Sequence, residues 1–88
     1  DIYHHLHDSG CKVDVYDPWV SQETALNEFG IEIIPFPEKG GYDGMIIAVG
    51  HNEFRNMGCA AVREFGAADH ILYDLKYIFK QSDVDLRL

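Results

Sequence analysis

Three apolar segments, each running into a polar residue, constrain what this chain can fold into. They are Val13-Asp14-Val15-Tyr16-Asp17-Pro18, Met45-Ile46-Ile47-Ala48-Val49-Gly50-His51 and Ile71-Leu72-Tyr73-Asp74-Leu75-Lys76. Segments with helical spacing separate them, and strands alternating with helices make a parallel α/β sheet. In such a sheet ligands sit beyond the carboxyl ends of the strands, where these polar residues fall. The pattern locates a site before it says what binds there.

A pass along the chain fills in the frame. Residues 1–9 read as the end of a helix, with Ile2 and Leu6 on one face and Gly10 as its stop. Cys11–Tyr16 reads as a strand ended by Asp17-Pro18, since proline has no N–H for a ladder. Ser21 is placed to cap a helix whose apolar face is Ala25, Leu26 and Phe29, closed by Gly30. Ile31–Ile34 is a short strand, and Pro35 to Tyr42 is the most loop-like stretch. Gly44–Val49 is an apolar run expected to be covered on both faces. Asn52 then caps a helix with apolar positions Phe54, Met57, Gly58, Ala61, Val62 and Phe65, and Gly66 ends it. His70–Asp74 is the last strand, and the tail to Leu88 is short and mixed.

The resulting order, α-β-α-β-β-α-β, begins on a helix, whereas a doubly wound sheet begins on its central strand. The expectation is therefore one domain, residues 1–88, that is a piece of something longer and lacks its first central strand.

The chain is acidic, with 15 Asp and Glu against 7 Lys and Arg and a net charge of −8. That balance argues against a nucleic-acid partner, although a few cations at one mouth can still hold a small anion. No apolar run approaches the ~20 residues of a membrane span, and no secretory signal is read. Cys11 and Cys59 match no metal spacing, so buried free thiols and a cytoplasmic setting are expected.

Several candidate sites reduce to structural readings. His4 with Asp8, and Asp1 with His5, share helix faces but lack a converging ligand set, so no metal is expected. Gly40-Gly41-Tyr42-Asp43-Gly44 precedes a strand, whereas a dinucleotide fingerprint follows one and opens a helix; these glycines are turn residues. Asp17, at a strand end, mimics the ribose-holding acid of a nicotinamide site but has no glycine turn before it. His51 and Asn52 open a helix, where they either cap the turn or leave N–H groups for an anion, the capping role being favoured. Lys76 either aims a cation at a phosphate, is simply solvated, or pairs with Asp74. No catalytic constellation stands out: the serines, at 9, 21 and 82, occupy no nucleophile elbow, and neither cysteine has an activating setting.

Taken together, Gly10-Cys11-Lys12-Val13-Asp14-Val15-Tyr16-Asp17-Pro18, Tyr42-Asp43-Gly44-Met45-Ile46-Ile47-Ala48-Val49-Gly50-His51-Asn52-Glu53-Phe54, Tyr73-Asp74-Leu75-Lys76 and Val84-Asp85-Leu86-Arg87-Leu88 resemble the C-terminal domain of the UDP-glucose/GDP-mannose dehydrogenase family. The branch they resemble most acts on UDP-N-acetylglucosamine and UDP-N-acetylgalactosamine in bacterial surface-polysaccharide synthesis. The resemblance implies a Rossmann-like three-layer α/β sandwich with a mostly parallel sheet. It implies a parent enzyme whose N-terminal domain binds NAD, whose central helix dimerises and whose C-terminal domain closes over a UDP-sugar. Such a parent oxidises the sugar C6 alcohol to a carboxylate by two hydride transfers through a thiol-bound intermediate. The family's nucleophilic cysteine lies in a glycine-rich motif absent here, so no catalytic residue and no cofactor is assigned to this stretch, which is expected to be inactive alone. The family's C-terminal domain also opens with a strand and a basic loop that would lie before Asp1. Lys76 takes the basic position after the last strand's aspartate, where relatives place arginine near the substrate, and is the expected substrate-binding residue. Tyr77 stands where relatives carry a second arginine, and His51 matches a position of structural role. Partners implied are a UDP-sugar, the N-terminal domain and a second copy in a homo-oligomer. The alternative reading is a stand-alone flavodoxin-like ligand-binding or receiver-like module, although Asp17 and Asp74 alone are few acids for a receiver.

Overall fold

Gly10 does what its position in the sequence asks of it. In the computed structural model, which describes residues 2–87, helix α1 (Ile2–Asp8) ends in a left-handed turn with Gly10 at φ 92°. The Gly10 N–H bonds the His7 carbonyl and the Cys11 N–H bonds that of Leu6, the paired closure of a Schellman motif. Asp1 lies outside the described residues, and with it the helix face read as shared by Asp1 and His5.

The chain divides into two units, the first ending at Pro37 and the second starting at Glu38. In the first, helix α2 (Gln22–Phe29) opens at Ser21, whose hydroxyl accepts from the Thr24 N–H at 3.0 Å. It closes on Gly30 at φ 66°. Of the expected apolar face only Ala25 is buried; Leu26 and Phe29 are exposed. The two expected strands contract to one parallel bridge, Val15 to Ile33, with the Ile34 N–H on the Val15 carbonyl at 2.8 Å. Gln22 Nε2 donates to the Ile33 carbonyl at 2.9 Å and ties the helix to that bridge.

The second unit holds the sheet. Strands β1 (Tyr42–Ile47), β2 (Gly66–Asp74) and β3 (Leu86–Arg87) lie side by side in that order, all parallel. Helices α3 (Asn52–Met57) and α4 (Cys59–Arg63) lie between β1 and β2 in the chain. The architecture is a small α/β domain with an open parallel sheet, consistent with a Rossmann-like fold. Ile47, Val62 and Leu72 form the core, packed by Met45, Met57, Cys59, Ile78, Phe79 and Val84. Met45, Ile47 and Leu72 point to one face, as period-2 alternation requires. On the opposite face Ile46 and Ile71 stay 41% and 52% exposed. The expectation that β1 is covered on both faces is thus corrected, because α4 supplies its cover on one side only.

Three boundaries also move. The single expected helix from Asn52 breaks at Gly58, whose φ of 87° lies outside the helical region and is open only to glycine at little cost. Gly66 starts β2 instead of ending α4, because the Glu64 and Phe65 carbonyls already accept from Gly40 and Gly41 at 2.9 and 3.0 Å. Third, the mixed tail contains β3, whose Leu86 and Arg87 stand opposite Tyr73 and Asp74.

β2 is longer than the expected His70–Asp74 because it begins with a bulge. Tyr42 pairs with Gly66, but Gly44 pairs with Ile71, so residues 67–70 are extra residues with only Asp43 across from them. The His70 ring closes the bulge: Nδ1 lies 2.7 Å from the Ala67 carbonyl and Nε2 lies 3.0 Å from Arg63 Nη1. Since arginine can only donate, His70 Nε2 accepts and Nδ1 holds the proton. A Cβ on Gly66 would overlap this ring.

Arg63 is also the point where α4 grips the tail. Its Nε and Nη2 donate to the Asp83 carbonyl at 3.1 and 2.9 Å, and Nη1 to Asp85 Oδ2 at 3.1 Å. The same Oδ2 accepts from the Leu72 N–H at 2.8 Å. Arg63 and that N–H hold the Asp85 carboxyl below its ordinary range.

Replacing Gly66 by alanine is expected to destabilise the domain by about 1–3 kcal/mol through overpacking against His70. Most of that loss should vanish in a His70→Ala background, a coupling that a denaturation double-mutant cycle measures. Asp85 contributes stability above its unfolded pKa and loses it as pH falls through its lower folded pKa. Asp85→Asn should therefore flatten the acid limb of a stability–pH curve, while leaving the alkaline side parallel to the parent's.

Candidate functional site

Parallel pairing brings the ends of β1, β2 and β3 to one edge, and the segments that leave them form the candidate site. β1 leads to Gly50 and His51, β2 to Lys76 and Tyr77, and β3 ends on Arg87. The Leu75 N–H still bonds the Ile47 carbonyl at 3.1 Å, so the ladder carries the loop after β2 alongside that after β1. A Cβ built on Gly50 would lie 3.9 Å from Lys76 Cβ and 3.7 Å from the Ile78 methyl, which is ordinary contact distance.

Asp74 builds this edge. It is 0% exposed, and its two oxygens are both used: Oδ1 accepts from the Lys76 N–H at 3.1 Å and Oδ2 from the Phe79 N–H at 3.0 Å. One carboxylate thereby clamps both ends of a tight loop. Between them Tyr77 takes φ 56°, the one positive φ of a non-glycine among the described residues. A left-handed conformation costs a side chain of this kind roughly 1–2 kcal/mol, less than two charge-assisted hydrogen bonds return at ~1.5–3 kcal/mol each. The clamp wins, and the phenol ring is held outward, 52% exposed.

Of the alternatives open for Lys76, pairing with Asp74 is absent for this reason: the carboxylate is committed to backbone donors. Lys76 is exposed, and among the described residues its ammonium meets no carboxylate. Arg87, which the sequence reading quoted but gave no role, lies with its guanidinium carbon 4.0 Å from the Tyr77 ring centroid. The available signal was the alternation of Val84-Asp85-Leu86-Arg87, which is a strand pattern too short to be read alone.

The other sequence candidates resolve into structural roles. His51 occupies the N-cap of α3 without a side-chain cap bond, its ring 5.7 Å from that of Phe54, and Asn52 is the first helical residue, not the cap. Arg55 turns back to donate to the Gly50 carbonyl at 2.9 Å. A helix of six residues so arranged is not an anion site. Asp17 Oδ1 accepts from the Trp19 N–H at 2.9 Å in an Asx turn that ends its strand. With Asp74 buried and saturated, neither aspartate resembles a receiver's exposed acidic pocket. Cys11 is exposed, not buried as expected. Cys59 is partly buried and donates to the Asp83 carbonyl at 3.2 Å, and burial pushes its thiol pKa up, the opposite of an activated nucleophile. Among the described residues no cluster of His, Cys, Asp or Glu could hold a metal ion, and no helix is long and apolar enough to cross a membrane.

Comparison with known proteins adds the chemical context. The UDP binding domain of the UDP-glucose/GDP-mannose dehydrogenase family matches residues 1–81. The UDP-N-acetyl-D-glucosamine 6-dehydrogenase of Pseudomonas aeruginosa is 50% identical over 88 residues, which is 100% of this chain and 21% of that protein. The protein of the same description from Salmonella typhi is 42% identical over the same span, again 21% of its length. The chain thus spans about a fifth of the curated relatives it matches. No solved structure gave a significant match.

Asp74→Asn keeps the shape of the clamp but turns an amide N–H toward one of the two backbone donors. It is expected to lower stability by about 1–3 kcal/mol. Amide hydrogen exchange at Lys76 or Phe79 should speed up selectively, a result that a nonspecific packing defect would not give.

Proposed function

The chain belongs to the UDP-glucose/GDP-mannose dehydrogenase family through that family's UDP-binding domain, and from this premise we propose that it is the C-terminal, substrate-closing part of an NAD-dependent UDP-sugar 6-dehydrogenase. The parent oxidises the C6 alcohol of a UDP-N-acetylhexosamine to the uronic acid, for bacterial polysaccharide synthesis in the cytoplasm. The names and identities of the two curated relatives support this choice of sugar. This stretch supplies one wall of the cleft and subunit contacts in a homo-oligomer. A strand preceding it in the parent adds to the open edge of β1, which agrees with β1 lying outermost in the sheet among the described residues.

The observation that carries the reading is the family match over residues 1–81 joined to the position of Lys76. An exposed ammonium at the carboxyl edge of a parallel sheet is where such a fold receives an anionic ligand. In a chain of net charge −8, a cation free of carboxylates reverses the field locally.

The residues present do not fit NAD. The Gly40 and Gly41 N–H groups, which a pyrophosphate would need, are donated to the Glu64 and Phe65 carbonyls. Those glycines also precede β1, where no helix N-terminus follows them. NAD is therefore assigned to another domain of the parent, as are the reactive groups.

In the full-length enzyme, Lys76→Ala is expected to raise KM for UDP-N-acetylglucosamine by roughly tenfold, more than it lowers kcat, as for lost uniform binding. An unchanged KM would remove Lys76 from the site.

A further inference from the structure

Two further side chains are arranged as though the same edge needs more than one cation. We propose that Arg87 is a second substrate-binding residue, directed at the diphosphate of the nucleotide, and that Arg63 positions it through Asp85. The inference rests on the function proposed above and deepens it.

Arg87 sits on β3, a strand of two residues whose rungs among the described residues are Tyr73 with Leu86 and Asp74 with Arg87. Two rungs hold a register weakly, and a slip of one residue would carry Arg87 to the opposite face of the sheet. Asp85 prevents the slip. Its N–H donates to the Leu72 carbonyl at 3.0 Å while its Oδ2 accepts from the Leu72 N–H at 2.8 Å, so one residue grips both backbone groups of its neighbour. Arg63 then fixes Asp85 from α4, with three donors spread over Asp85 Oδ2 and the Asp83 carbonyl.

The far end of this chain of contacts is chemically specific. The Arg87 guanidinium lies over the Tyr77 ring at 4.0 Å, and that ring is held outward by the Asp74 clamp. Contact with the ring restricts where the guanidinium can swing and leaves its N–H donors to other partners. Among the described residues no carboxylate takes those donors. A planar guanidinium fork held against a ring matches a pair of phosphate oxygens in a way that lysine, a point charge on a flexible stem, does not. Arg63, by contrast, is spent on Asp83 and Asp85 and has no part in binding except through them.

The test uses the full-length dehydrogenase, with UDP and uridine as competitive inhibitors against UDP-N-acetylglucosamine. Arg87→Ala should weaken UDP by about tenfold, the size of one charge-assisted contact, and uridine by less than about twofold. Arg87→Lys should recover only part of the loss. Arg63→Met should weaken UDP in the parent background and add nothing in Arg87→Ala, because it acts only through that residue. Should Arg63→Met fail to fold, Asp85→Asn takes its place in the same cycle. An Arg87→Ala enzyme with an unaltered UDP constant overturns the proposal, as does an Arg63 effect of equal size in both backgrounds. If Lys76→Ala weakens UDP while Arg87→Ala does not, only this inference falls. If neither does, the reading of the edge as a nucleotide-sugar site falls with it.

Discussion

A fully buried aspartate with two backbone partners sets the geometry on which the rest of this domain depends. Asp74 ends β2 inside the core, where an unpaired charge would be far too costly. It is tolerated because the chain turns immediately and returns two N–H groups to it. That turn forces Tyr77 into the left-handed region, lifts its ring to the surface and exposes Lys76 beside it. An electrostatic requirement of the core thus becomes the shape of the surface above it.

The same economy of charge runs through the other end of the sheet. Arg63 and Asp85 are both committed to holding a two-residue strand, and His70 joins them by accepting a hydrogen bond from Arg63. The consequence is a division of labour among the cations of an acidic chain. Arg63 is neutralised by its partners and acts as structure, and Arg55 is turned onto the Gly50 carbonyl. Lys76 and Arg87 are left at the carboxyl edge without carboxylates among the described residues. Local field, not net charge, decides whether an anion is welcome there.

Much of this was legible in the residues, for reasons that are local. Gly10, Ser21 and Gly30 mark helix ends because positive φ and side-chain capping are decided within a turn of chain. The run ending in Asp74 reads as a strand from alternation and branching, and Lys76 follows from its place just after it. Family resemblance, which depends on spaced motifs and not on contacts, survives intact along the chain. Less was legible at Gly58, which looked like one more small residue on a helix face and instead breaks that helix in two. The residues 31–34 and 11–16 look like full strands but make a single bridge, because a strand is completed by its neighbours and not by its own composition.

What the sequence determined by itself is therefore the parallel α/β class, the main helix stops and the edge at which to look for a ligand, since periodicity and turn chemistry act over a few residues. Only the tertiary structure decided that Asp74 binds backbone and not the Lys76 ammonium, that the tail folds into a third strand, that Arg63 bonds Asp85 and that Arg87 lies over Tyr77. Each of those depends on which groups meet across 2 to 22 residues of chain, a choice made by packing.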